Sequence, residues 1–144
     1  MNISAEVKKS LLLTYNNAAS ANNVLSGIEM YQDHVTSDVS FPFIVFKQIS
    51  TNNFYTMSDT ATGNNGKYIN ANFTFIVVNN QDNNEVSENV FSELENIYNL
   101  NDITMTTAVD IFGIYFKNTS TNFYDEGQKV WSYPSTIQIF AKGV

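Results

Sequence analysis

Residues 68–78 read YINANFTFIVV, and no other stretch constrains the fold of this chain as tightly. Ile69, Ala71, Phe73, Phe75 and Val77 form an apolar row at every second position, alternating with Asn70, Asn72 and Thr74. Successive residues of a strand point to opposite faces, so the row makes one buried face of a β-strand, with Phe73 and Phe75 as packing residues. Ile76 and Val78 carry apolar character to the other face, and the far end is therefore expected to be covered on both sides. This is the expected central strand.

The rest of the sequence supports a globular chain around that strand. Its 144 residues suit one domain with one core. Apolar residues make up 43% and aromatics 14%, enough to offset the entropy of ordering, whereas charged residues are only 15%. The net charge is −7 and every basic residue is a lysine. Base readout leans on bidentate arginine and phosphate binding on clustered cations, so a nucleic-acid reader is disfavoured. There is no cysteine, which excludes disulfides and thiolate metal sites. The run Leu11-Leu12-Leu13 is too short for a signal segment or a membrane span, so a soluble protein without a membrane role is expected.

Taken in order, Ser4 is placed to cap a helix beginning near Ala5, with Val7, Leu11, Tyr15 and Ala18 at helical spacing and Leu12 and Ala19 widening the stripe. That helix is expected to fade around Asn22–Asn23. Ile28–Tyr31 reads as a short edge strand, and Phe43–Ile49 as a strand entered through Pro42. From Ser50 to Lys67 the pattern dissolves into a long loop or projecting hairpin, with Gly63-Asn64-Asn65-Gly66 as a turn signal. Glu85–Leu100 is the clearest helix: Val86, Val90, Leu94 and Ile97 form its inner stripe, joined by Phe91, Tyr98 and Leu100. Ile103–Met105 reads as a short strand. Val109–Phe116 reads as a strand with Val109, Ile111 and Tyr115 opposite Phe112, Ile114 and Phe116. Lys117–Gly127 reads as a polar connection ending in an Asp125-Glu126-Gly127 turn. Lys129–Ala141 is the last strand, in which Pro134 argues for a bulge or an edge position. The expected class is α+β: a mostly antiparallel sheet with two helices packed on one face and a long hairpin-like loop.

The groups that could carry chemistry are few. His34, the single histidine, lies near Asp33, Ser37 and Asp38, but a triad needs proximity in space rather than in sequence. Asn80, Asp82, Asn84 and Glu85 offer oxygen ligands without the glycine and terminal glutamate of a calcium loop, and helix capping explains them better. Glu88, Glu93 and Glu95 read as the solvated face of a helix unless two of them converge in a cleft. GNNGK at Gly63 lacks the spacing of a phosphate loop. The expectation is a protein that is not an enzyme and has no catalytic residues, metal or cofactor. Two aromatic pairs stand in polar segments, Phe54-Tyr55 and Phe123-Tyr124. With Met57 and Asp125 they are the candidate protein-interface residues, the alternative being that the aromatics cover the sheet ends.

The sequence resembles the tail-terminator and tail-completion proteins of long-tailed bacteriophages. The resemblance rests on the order of segments across nearly the whole chain: an N-terminal helix, the Ile28–Tyr31 piece, PFIVF at Pro42–Phe46, a variable loop and YINANFTFIVV. An acidic helix ending at Leu100 follows, then Asp125-Glu126-Gly127 before WSYPSTIQIFAKG. It implies a structural virion protein of the tail and neck region, assembled in the host cytoplasm. Such a protein forms a ring, commonly a hexamer, on the head-proximal end of the tail tube. The ring ends tube polymerisation, contacts tube and neck (head-completion) proteins, and lets DNA pass through its lumen without specific binding. The family supplies no catalytic residues to carry over. Another head–tail connector, neck or baseplate adaptor is the nearest alternative, and a small-ligand-binding α+β domain a more distant one.

Overall fold

The computed structural model describes residues 3–35, 39–55, 67–80, 85–117 and 123–143. Two helices, α1 (Ile3–Ala19) and α2 (Glu85–Ile97), pack on one face of a six-stranded, mostly antiparallel sheet. The strands are β1 (Glu29–Gln32), β2 (Phe43–Tyr55), β3 (Lys67–Asn79), β4 (Val109–Lys117), β5 (Phe123–Asp125) and β6 (Val130–Gly143). Their order is β1-β2-β3-β6-β4, and β5 lies beside β6 in tandem with β4.

The 68–78 segment is the middle strand of that order, flanked by β2 and β6. Its apolar row is fully inside: Ala71, Phe73, Phe75 and Val77 have no exposed surface. The same face continues in β6 through Ile137, Ile139 and Ala141 and in β2 through Ile44 and Phe46. Val7, Leu11 and Tyr15 of α1 and Val90 and Leu94 of α2 close this core from above, together with Tyr98 just beyond α2. Tyr98 stacks on Phe75 at 5.2 Å between ring centroids and donates its hydroxyl to the Leu11 carbonyl at 2.8 Å, joining both helices to the central strand.

Several boundaries differ from the sequence reading, for physical reasons. The first helix starts at Ile3, so Ser4 does not cap it. Ser4 Oγ instead donates to Gln48 Oε1 of β2 at 2.5 Å. Helix α2 stops at Ile97, and Leu100 is exposed rather than part of the inner stripe. Residues 103–105 form no strand. That segment lies along α1, where the Thr104 amide donates to Thr14 Oγ1 at 2.9 Å and the Thr106 amide to Ser10 Oγ at 3.1 Å. Buried Ser10 and Thr14 also return their hydroxyls to the helix carbonyls of Glu6 and Ser10, so each is satisfied on both sides.

The edge strand at Ile28–Tyr31 is confirmed one residue later, but it pairs parallel with β2. The Ser50–Lys67 stretch is a hairpin at least at its base, since β2 runs to Tyr55 and β3 starts at Lys67 in paired register. Residues 123–125, read as connection, form β5. The final strand keeps Trp131, Tyr133, Ile137, Ile139 and Ala141 on one face. Pro134 sits inside it opposite Ile76, at the point where β5 has ended and β4 has not begun. Among the described residues it thus lies where β6 is paired by β3 alone, a local edge within an otherwise internal strand.

Candidate functional site

Among the described residues the chemical candidates are not brought together. His34 is exposed just past β1, beside Asp33, and Ser37 and Asp38 lie outside the described residues. Of the oxygen-rich loop, Asn80 is exposed, Glu85 opens α2, and residues 81–84 lie outside the described residues, as does the 63–66 turn. Among the described residues no cluster of three His, Asp or Glu side chains is placed to hold a metal ion. Glu93 accepts from Asn22 Nδ2 at 2.8 Å. Glu88 and Glu95 are exposed on the side of α2 that faces Tyr133, whose hydroxyl pKa is raised by burial first and by these two carboxylates second.

A cleft of about 310 Å³ opens between the C-terminal halves of α1 and α2, lined by Thr14, Asn17, Asn96, Ile97, Asp102 and Thr104. Its polar groups are largely engaged. Thr14 bonds Ser10 and Thr104, and the Asp102 carboxylate accepts from Asn99 Nδ2 at 2.8 Å. With a single ionisable lining residue, it offers no acid–base pair and no nucleophile with an adjacent base.

The helix-free face of the sheet has a different character. Its centre is a band of uncharged polar side chains, Asn70, Asn72 and Thr74 of β3, Thr136 and Gln138 of β6, and Ser50 of β2, with exposed Lys47 and Lys117 at the two ends of the Thr74–Thr136 row. Gln138 Nε2 donates to Asn70 Oδ1 and Asn72 Nδ2 to Ser50 Oγ, both at 2.8 Å, while Asn72 Oδ1 is buried without a partner. Aromatic groups sit at both ends. Tyr31, Phe41 and Phe43 cluster at one, with centroids 5.3 to 6.2 Å apart. At the other, Phe112 meets Tyr68 at 6.2 Å and Phe140 at 6.3 Å, and Tyr115 meets Phe140 at 5.7 Å. Ile76 and Val78, expected to be covered on this side, are half-buried, with no helix over them.

The Phe112 cluster escapes the sequence reading because β4 changes phase. A register shift between Ile111 and Gly113 inserts Phe112 as an extra residue. Val109, Ile111, Ile114 and Phe116 therefore share the core face, and Phe112 and Tyr115 come out on the other. An isolated glycine in a strand pattern is the signal that could have revealed this bulge. The glycine is also needed for space: a Cβ at Gly113 would lie 3.0 Å from the Phe140 ring.

The interface candidates whose backbone is described lie at two ends of the sheet. Phe54 and Tyr55 lie on the backbone of β2 at the hairpin end, opposite Tyr68 and Lys67, and Met57 lies outside the described residues. Phe123, Tyr124 and Asp125 form β5, at the other end of the sheet and on the far side of β6. Phe123 and Tyr124 are exposed, Tyr124 contacting Trp131 at 5.2 Å. Asp125 is a turn residue: its Oδ1 accepts the amides of Gly127 and Gln128 at 2.9 and 3.1 Å.

No family model matches the sequence, and no curated protein matches it. Solved structures do share the fold. One is a chain of the "Virion of native gene transfer agent (GTA) particle", 9% identical, with a TM-score of 0.67 over 98% of this chain and 98% of that chain. A second is 15% identical, with a TM-score of 0.56 over 99% of this chain and 93% of that chain. At such identities the likeness establishes a common α+β fold across the whole length.

Proposed function

We propose that this chain is a structural protein of a phage-like virion. More narrowly, it forms the ring that ends the tail tube on its head-proximal side and joins tail to neck. The observation that carries the reading is the shared fold, end to end in both chains, with a component of a gene transfer agent virion. The order of segments in the sequence points the same way independently. The centre of the helix-free sheet face is made of amides and hydroxyls, with Lys47, Lys117 and Lys142 toward its edges, in a protein of net charge −7 with no arginine, a balance that disfavours tight holding of DNA. Its partners are further copies of itself, the tail-tube protein and a head-completion protein, and its place is the virion.

Negative-stain microscopy of the purified chain mixed with polymerising tail-tube protein tests this. Tubes should stay short and carry a ring at one end. Tubes of unrestricted length with no bound chain would remove the terminator role. A ring bound to capsid connector or baseplate rather than to the tube end would move the protein to another adaptor position.

A further inference from the structure

We propose that the surface formed by Glu88, Phe91 and Glu95 of α2 with Tyr133, Trp131 and Tyr124 of the sheet is a docking site for an arginine side chain of another protein. The site lies on the helix-covered side of the sheet, away from the amide-lined face, and does not require a ring.

Glu88, Phe91 and Glu95 recur at helical spacing, so they share one side of α2. Phe91 is buried and lies against Tyr133 of β6, with ring centroids 5.2 Å apart. Glu88 precedes Phe91 by about one turn and Glu95 follows it by about one turn. Both are exposed, and both stand close enough to Tyr133 that their charges add to burial in raising its hydroxyl pKa. Trp131 is the next residue along the same face of β6, and Tyr124 of β5 is directly opposite it. Those two rings are 5.2 Å apart at a tilt of 59°. Tyr133 and Trp131 are half-buried and Tyr124 is 43% exposed. The surface is thus a run of aromatic rings with a carboxylate before and after Phe91.

The carboxylates have no counter-ion nearby. No lysine or histidine occurs in the sequence between Lys67 and Lys117. Among the described residues neither Glu88 nor Glu95 joins an ion pair. Lys117 is matched with Thr136 on the opposite, helix-free face. Lys129, the cation nearest to Trp131 in the chain, is exposed in the turn that its amide closes by donating to the Asp125 carbonyl at 2.6 Å. The aromatic cluster of Phe112 and Phe140 differs in this respect. Two residues along the same strands, Lys142 Nζ lies 3.6 Å from Asp110 Oδ2, so charge there is already balanced.

Both features select a cation. The faces of aromatic rings carry negative potential, and the two carboxylates carry negative charge. An anionic or purely apolar occupant would cover the carboxylates without a counter-ion, at a cost. Between the two cationic side chains the geometry favours arginine. A planar guanidinium lies flat on a ring such as Tyr133 or Trp131 while its N–H fork donates to a carboxylate, whereas an ammonium is a compact, strongly hydrated point charge. This chain contains no arginine, so the occupant belongs to a different protein and not to a second copy.

Trp131 is the only tryptophan, so its fluorescence and its indole N–H resonance report on this surface alone. The purified chain is titrated at low salt with a glycine-flanked arginine tripeptide, and with the matching lysine and citrulline tripeptides. Arginine should give a saturable change at Trp131, at least about threefold tighter than lysine, and citrulline, its neutral analogue, should give none. The double variant Glu88→Gln, Glu95→Gln should weaken arginine binding about fivefold, and Tyr124→Ala about threefold, each with its melting temperature measured to show that it folds. No response at Trp131, an equal response to citrulline, or undiminished binding in the folded double variant would overturn the site. A lysine tripeptide that binds as tightly as arginine would overturn the choice of occupant and favour a second copy of this chain. None of these outcomes bears on the ring, which tail-tube capping tests separately.

Discussion

The two faces of β3 are made from the same thirteen residues and behave as two different proteins. One carries Ile69, Ala71, Phe73, Phe75 and Val77 against both helices, with almost no exposed surface. The other carries Asn70, Asn72, Thr74, Ile76 and Val78, all half-buried and without a helix above them. The first face determines whether the chain folds. The second is half-buried and polar at its centre, and should contribute less to folding. Substitutions on the two faces should therefore separate stability from assembly.

The largest effect belongs to Phe73→Asp, which places a carboxylate in the centre of the core. It should abolish folding, and a soluble variant with a cooperative melt by circular dichroism would break the assignment of that face. Next comes Leu94→Ala on α2, fully buried in the same cluster, which should cost about 2–5 kcal/mol in urea unfolding. Tyr98→Phe removes the hydroxyl that reaches Leu11 O and should cost about 1 kcal/mol.

Tyr98 also has a pH signature. Burial raises its hydroxyl pKa well above the ordinary value and raises that of Tyr15 similarly, so both groups are held neutral in the folded chain. The stability they contribute is complete below the unfolded tyrosine value of about 10 and is lost as pH climbs above it toward the raised folded values. Melting temperature should fall above about pH 10, and the fall should be shallower in Tyr98→Phe. An identical slope in the variant would contradict the burial of that hydroxyl. The smallest effect is expected across the sheet: Thr74→Ala should change stability by less than about 1 kcal/mol while leaving the melt cooperative. A loss as large as that of Leu94→Ala would erase the contrast between the faces.

The helix-covered face was legible in the sequence because its signal is periodic and local. The alternation at 69–77 and the stripe at Val86, Val90 and Leu94 needed no tertiary information. What was not legible depends on contacts across the fold. The parallel pairing of β1 is a matter of partner choice, which four residues cannot encode. β2 continues through the polar residues 50–52 because Asn72 and the β3 ladder hold them, not because of their own pattern. The bulge at Phe112 reverses the alternation after it, so reading β4 as a regular strand put Tyr115 with the core residues Val109 and Ile111. Ser10 and Thr14 appear as interruptions of an apolar stripe until the 104–106 segment is seen beside them. Aromatics in polar surroundings single out the exposed Phe123 and Tyr124 but not Phe112 and Tyr115, which are as exposed but have apolar sequence neighbours.

The most direct measurement is a reconstruction of the intact particle by electron cryomicroscopy with this chain fitted to its density. The proposed terminator role predicts copies of the chain in a closed ring at the head-proximal end of the tail tube, with the helix-free face and its Asn70, Asn72 and Gln138 toward the channel. Density for the chain elsewhere in the particle would contradict the terminator reading, and a purified particle that contains none of it would contradict the virion reading itself.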